Sequence, residues 1–141
     1  MKKIVLLLAI FCSAVGISVA QTESKADVDL PEITFKSTEL DYGTLNKDAD
    51  GTRHFEFTNT GKQPLVLTNV AASCGCTVVE WAKEPIKPGE KGSITVKYNT
   101  AIVGPFHKTI RVFSNSKVSP VLLTIKGEIK PLPENSDQKS E

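Results

Sequence analysis

Residues that most directly announce chemistry are scarce in this chain: two histidines, three cysteines, one tryptophan and one methionine in 141 residues. No glycine-rich phosphate loop, no His-Glu-x-x-His pair and no Gly-x-Ser-x-Gly elbow occurs, so no motif indicates phosphoryl transfer, zinc-dependent hydrolysis or a serine hydrolase. No catalytic residue is assigned, and the protein is not expected to be an enzyme. Charge of one sign is also lacking, with 17 basic side chains against 16 acidic ones. A nucleic-acid partner requires a basic excess on one face and is not expected. No segment outside the N-terminus carries ten residues of helical apolar period, which excludes a helical domain.

The one long apolar run follows Met1, Lys2 and Lys3, extending from Ile4 to Phe11 and, with small residues, to Val19. A basic start, an apolar middle and small residues at Ser18 and Ala20 are the features of a secretory signal peptide, here residues 1–20, with the mature chain beginning at Gln21. The run is nearly long enough to span a bilayer, but its small-residue end favours cleavage, after which no integral membrane segment remains. A lipid anchor on Cys12 is disfavoured by the bulk of Phe11 before it. Loss of Lys2 and Lys3 leaves 15 basic residues against 16 acidic. The remaining cysteines, Cys74 and Cys76, then reside in an oxidising compartment, whether periplasm, cell surface or medium.

Residues 21–32 and 131–141 are polar and aperiodic and read as a flexible linker and a disordered tail. Between them, residues 33–130 show apolar side chains at period two. Phe55 and Phe57 alternate with His54, Glu56 and Thr58; Ile94, Val96 and Tyr98 alternate with Thr95 and Lys97; Val121, Leu123, Ile125 and Ile129 alternate with polar partners. Such alternation means strands with one buried and one wet face. Lys108 lies in phase with Phe106, Ile110 and Val112, which requires it to sit at a sheet end or edge. Gly127 falls on an inward position, the mark of a bulge or a close backbone approach. Turn residues recur at Asp50-Gly51, Asn59-Thr60-Gly61, Pro88-Gly89, Gly104-Pro105 and Ser114-Asn115-Ser116. Seven or eight short strands at this spacing predict an all-β, immunoglobulin-like antiparallel β-sandwich, without the cysteine pair that bridges the sheets in antibody domains.

The one local feature with chemistry to spare is Ser73-Cys74-Gly75-Cys76-Thr77. Two extended steps separate Cα atoms by about 7 Å, at the limit of a disulfide's reach, so bonding requires a turn, which Gly75 supplies at little steric cost. A bridge closing so small a loop constrains the unfolded chain little. Three readings stay open: a closed corner between sheets, a thiol-disulfide exchange site, or a soft-metal (copper or zinc) site completed by His54 or His107. Both histidines read more simply as exposed strand residues, and no metal or other cofactor is expected. Glu39, Asp41, Asp48 and Asp50 only partly meet a calcium loop's spacing and read as a solvated loop. Trp81 reads as a core residue, with a place beside the thiols as the alternative.

Taken together, the segments HFEFTNTGKQPLVLTNV, SCGCT and PIKPGEKGSITVKYNT, with Gly104-Pro105-Phe106 and Ser114-Asn115 after them, resemble domain-of-unknown-function family 1573 over about Phe35 to Ile129. That family consists largely of exported bacterial proteins and is similar to the Hydin-like and major-sperm-protein-like immunoglobulin sandwiches. The resemblance implies the fold, an exported location and the motif residues Asn59, Gly61, Pro64, Cys74, Gly75, Cys76, Pro88 and Gly89, but no reaction. From turn chemistry, Asn59 and Gly61 are expected to supply positive φ in a hairpin, Pro64 to preset the next strand, and Pro88-Gly89 to form a type II turn. The function expected is a non-enzymatic exported module that binds another envelope or extracellular protein, by pairing with an edge strand.

Overall fold

The computed structural model describes residues 29–133. The expected signal peptide with Cys12, most of the linker and most of the C-terminal tail lie outside the described residues. Eight strands follow one another: β1 (Ile33–Phe35), β2 (Glu39–Asn46), β3 (Thr52–Asn59), β4 (Leu67–Ala72), β5 (Thr77–Trp81), β6 (Lys91–Tyr98), β7 (Gly104–Ser114) and β8 (Val121–Lys130). They form two four-stranded sheets, ordered β1-β3-β6-β5 and β2-β8-β7-β4. The period-two pattern has the physical consequence it should: Ile94, Val96, Ile110, Val112, Leu123 and Ile125 are fully buried between the sheets, with Phe55 and Phe57 beside them. Phe57 packs its ring on Phe35, centroids 5.4 Å apart.

All pairings are antiparallel except one. β2 runs parallel to β8, with Glu39 opposite Thr124 and Asn46 opposite Lys130. Strand spacing does not encode this, because β2 meets β8 only after the rest of the chain has been laid down. In the β2–β8 ladder two residues, Tyr42 and Gly43, stand against the single Gly127, which makes a bulge between Asp41 and Thr44. Gly43 takes φ +61 there, and a Cβ on Gly127 would lie 2.9 Å from Gly43 O, the Phe106 ring and Tyr42 Cβ. Gly127 thus answers both expectations, a bulge and a close approach. Lys108 is half-buried and lies past the last β4 partner of β7, Ala72 opposite Ile110, at the sheet margin its phase required.

Three readings are corrected. Glu39 and Asp41 are strand residues rather than loop, and both bridge Lys126 of β8, at 2.6 and 4.0 Å; only Asp48 and Asp50 lie in the β2–β3 loop. Asn59 and Gly61 do not adopt positive φ, which among the described non-glycine residues is confined to Asp48. Asn59 is instead fully buried: its Nδ2 donates to the carbonyls of Gln63 and Ile86, both at 2.8 Å, and its Oδ1 accepts from Gly61 N. Gly61 is required by crowding, since a Cβ there would run into the backbone of Leu30, Pro31 and Glu32. That same contact shows that the end of the expected flexible linker is docked: Thr60 N donates to Glu32 O and Lys117 N to Pro31 O.

Candidate functional site: the disulfide end of the sandwich

Cys74 and Cys76 form a disulfide across the single residue Gly75, with Cα atoms 5.3 Å apart. The bridge sits where the chain leaves β4, the edge of one sheet, and enters β5, the edge of the other. The turn that brings the cysteines together is present, but Gly75 makes it without positive φ, and a Cβ there would meet nothing within 4 Å. Its glycine is therefore not demanded by backbone conformation or by space. Pro88-Gly89, by contrast, has Gly89 at φ +81, and Glu90 N closes the turn on Lys87 O. Pro64 precedes Leu65, which pairs with Ile86 in an isolated bridge, and its carbonyl accepts from Asn115 Nδ2 at 3.1 Å.

Main-chain hydrogen bonds hold the crossover at both ends. Ser73 N donates to Thr109 O, Thr109 N donates back to Ser73 Oγ, and Asn99 N donates to Cys76 O at 2.9 Å. The same end of the molecule gathers the β2–β3 and β6–β7 loops, joined by Asp48 N to Thr100 O, Tyr98 N to Gly51 O, and Thr100 Oγ1 to Ala49 O at 2.6 Å. A depression of about 400 Å³ opens between them, lined by Asp48, Asp50, Lys97, Tyr98 and Thr100 among others. Hydrogen bonds from the Thr52 side chain and backbone hold the Asp50 carboxyl below the usual carboxylate range. Ile102 and Val103 on the β6–β7 loop are 47% and 49% exposed, and Val78 at the head of β5 is 56% exposed.

Both sulfurs are half-buried and share one polar neighbour. Thr77 Oγ1 lies 3.7 Å from Cys74 Sγ and 3.9 Å from Cys76 Sγ, and Thr77 itself is buried. The histidines weighed as metal partners are placed elsewhere in the ladders: His54 stands opposite Thr95, its Nδ1 3.1 Å from Thr95 Oγ1, and His107 stands opposite Lys126. Among the described residues no three His, Cys, Asp or Glu side chains group as ligands. Trp81 packs against the core at the far end of β5 from the cysteines, opposite Ile94 while Thr77 is opposite Tyr98, with Lys83 Nζ 3.0 Å from its ring centre. Nothing in the sequence marks Thr77 as a functional residue. Its adjacency to the cysteines was visible, but only the turn tells which way its hydroxyl faces.

Two four-stranded sheets packed over one core, with a sheet-to-sheet crossover at each edge, define an immunoglobulin-type sandwich module. The chain belongs to the family described as "Protein of unknown function (DUF1573)", which matches residues 33–129. No curated protein matches it. Among solved structures, a protein of unknown function from Porphyromonas gingivalis W83 superposes with TM-score 0.65 at 18% identity, over 77% of this chain and 51% of that one. This chain therefore spans about half of that protein's length. PapD-like domain 7 of human CEP192 superposes with TM-score 0.62 at 6% identity, over 73% of this chain and 88% of the domain. The CsuC–CsuE chaperone–tip adhesion subunit complex of Acinetobacter baumannii gives 0.50 at 12% identity, over 70% and 57%. At such identities the likeness is one of fold. No helix among the described residues is long and apolar enough to cross a membrane.

Proposed function

We propose that this chain is an exported, non-enzymatic module that binds another envelope or extracellular protein by adding an extended segment of that partner to β5. The observation carrying this reading is that β5 is the least guarded edge of the sandwich. An open edge presents unpaired N–H and C=O groups, and proteins blunt such edges by shortness, bulges, lysine or proline. β1 is three residues long, and β2 and β4 carry register shifts. β5 keeps an unbroken register with β6 from Thr77 to Trp81, contains neither lysine nor proline, carries a single charge, Glu80, and exposes Val78, which leaves it the least guarded of the four edges. Main-chain pairing along such an edge supplies affinity, and pockets for alternate side chains supply specificity. The fold shared with a chaperone–adhesin complex and a PapD-like domain supports an assembly role. The N-terminal apolar run and the cysteine pair support export.

The test is site-specific photocrosslinking of the full chain in native envelope extract. A crosslinking residue at Glu80, on β5, is expected to yield one discrete adduct, which Val78→Lys removes. The same residue at His107, on the other sheet, is expected to yield none. Absence of an adduct from Glu80, or equal adducts from both positions, overturns the reading. Intact mass of the exported protein is expected to correspond to a start at Gln21.

A further inference from the structure

We propose that the Cys74–Cys76 bridge is a thiol–disulfide exchange site in which the Thr77 hydroxyl stabilises the departing thiolate. This goes beyond the binding role and does not depend on it. Three observations carry it together.

The bridge is not what holds the corner. Ser73 is tied to Thr109 by two hydrogen bonds and Cys76 O to Asn99 N by a third, so the crossover keeps its path when the sulfurs separate, and the two thiols stay placed to bond again. The turn is also exposed at Gly75, where apart from Cys74 and Cys76 themselves nothing stands within 4 Å of where a side chain would be, and both cysteines are only half-buried, so a small reactant can approach the corner from that side. Finally, the buried Thr77 hydroxyl has the two sulfurs as its hydrogen-bond partners, at 3.7 and 3.9 Å. A disulfide sulfur is a weak acceptor and a thiolate a strong one. The hydroxyl therefore interacts more strongly as negative charge develops on the leaving sulfur than it does in the resting bridge, the condition for accelerating a step.

The reaction balances with a dithiol as co-reactant. Its thiolate attacks one Sγ, forming a mixed disulfide and breaking the Cys74–Cys76 bond. The bond's electron pair leaves on the other Sγ, which accepts the Thr77 hydrogen bond and then a proton from water. The second thiol of the dithiol then attacks the mixed disulfide. The protein gains two electrons and two protons, and the dithiol becomes a disulfide. The reverse sequence oxidises the protein.

The experiment uses the full oxidised chain with dithiothreitol, quenched by alkylation and read by intact mass, with circular dichroism followed in parallel. The bridge is expected to reduce while the spectrum stays folded. Thr77→Val is expected to slow reduction roughly ten-fold or more, the lower end of what one hydrogen bond to a charged group is worth, and to shift the pH profile of thiol alkylation upward, with Thr77→Ser restoring both. Reduction only upon unfolding, or a Thr77→Val rate equal to the parent's, overturns the proposal. Should Thr77→Val not fold, Cys76→Ser leaves the single thiol of Cys74 beside Thr77. Its alkylation midpoint is expected below the ordinary thiol value of about 8.5, and a midpoint at or above that value overturns the assignment.

Discussion

Tyr42 has an aromatic ring held on three counts and a hydroxyl held on none. Its ring meets Phe106 edge-on at 5.3 Å, Arg53 lies 4.7 Å from its centre, and the residue is 5% exposed, yet its buried Oη has no hydrogen-bond partner. Burial pushes the hydroxyl up from 10.0 to about 12, with the Arg53 charge pulling back and the Asp50 charge adding to the rise. Burial raises Tyr98, stacked on Phe106, in the same direction. The unfolded chain releases the tyrosine protons at lower pH than the folded one, so above about pH 10 it binds fewer protons and stability falls as pH rises toward 12. Tyr42→Phe keeps the ring contacts and removes the orphan hydroxyl. It is expected to match or exceed the parent in stability at pH 7 by up to about 1 kcal/mol, and to lose stability less steeply above pH 10. Urea unfolding at stepped pH checks both. Nothing at this scale marked Tyr42 in the sequence, because it sits in a strand whose apolar period the bulge interrupts. Asn59 stands out in the sequence, but for a turn it does not make. Asn-Thr-Gly is what a hairpin turn looks like locally, whereas the actual demand comes from the carbonyl of Ile86, 27 residues away.

Among the strands, alternation of side chains was legible wherever a sheet has one wet face, as in β3, β6 and β8, and the inward Gly127 betrayed an irregularity by breaking that alternation. The other half of the irregularity, Tyr42-Gly43 opposite it, was not legible, since it depends on which strand becomes the neighbour and in which direction it runs. Two glycines now separate cleanly. Gly127→Ala would press a methyl against Gly43 O and Phe106, whereas Gly75→Ala meets open space. The first is expected to cost about 1–3 kcal/mol, the range for overpacking, and the second to stay within about 0.5 kcal/mol. Thermal melts of the two variants check the pair, and similar losses in both would contradict the geometry.

At the scale of the whole molecule, the core rather than the cysteines joins the two sheets. The disulfide closes a sequence separation of two, and replacing both cysteines with serine is expected to cost less than about 2 kcal/mol, while Phe57→Ala, which empties a site 2% exposed, is expected to cost roughly 3–5 kcal/mol. Denaturant midpoints of the two variants rank them. The reverse ranking would mean that the corner organises the fold. The end of the sandwich that carries this corner has a further property. Its three loops are fastened to one another and to the strands largely through main-chain groups: Asp48 to Thr100, Gly51 to Tyr98, Cys76 to Asn99, Lys47 to Lys130. Fastenings of that kind are indifferent to the side chains they carry. Positions such as Ala101, Ile102 and Val103 are therefore free to drift among relatives, or to be randomised in a library, while the mounting beneath them keeps its shape.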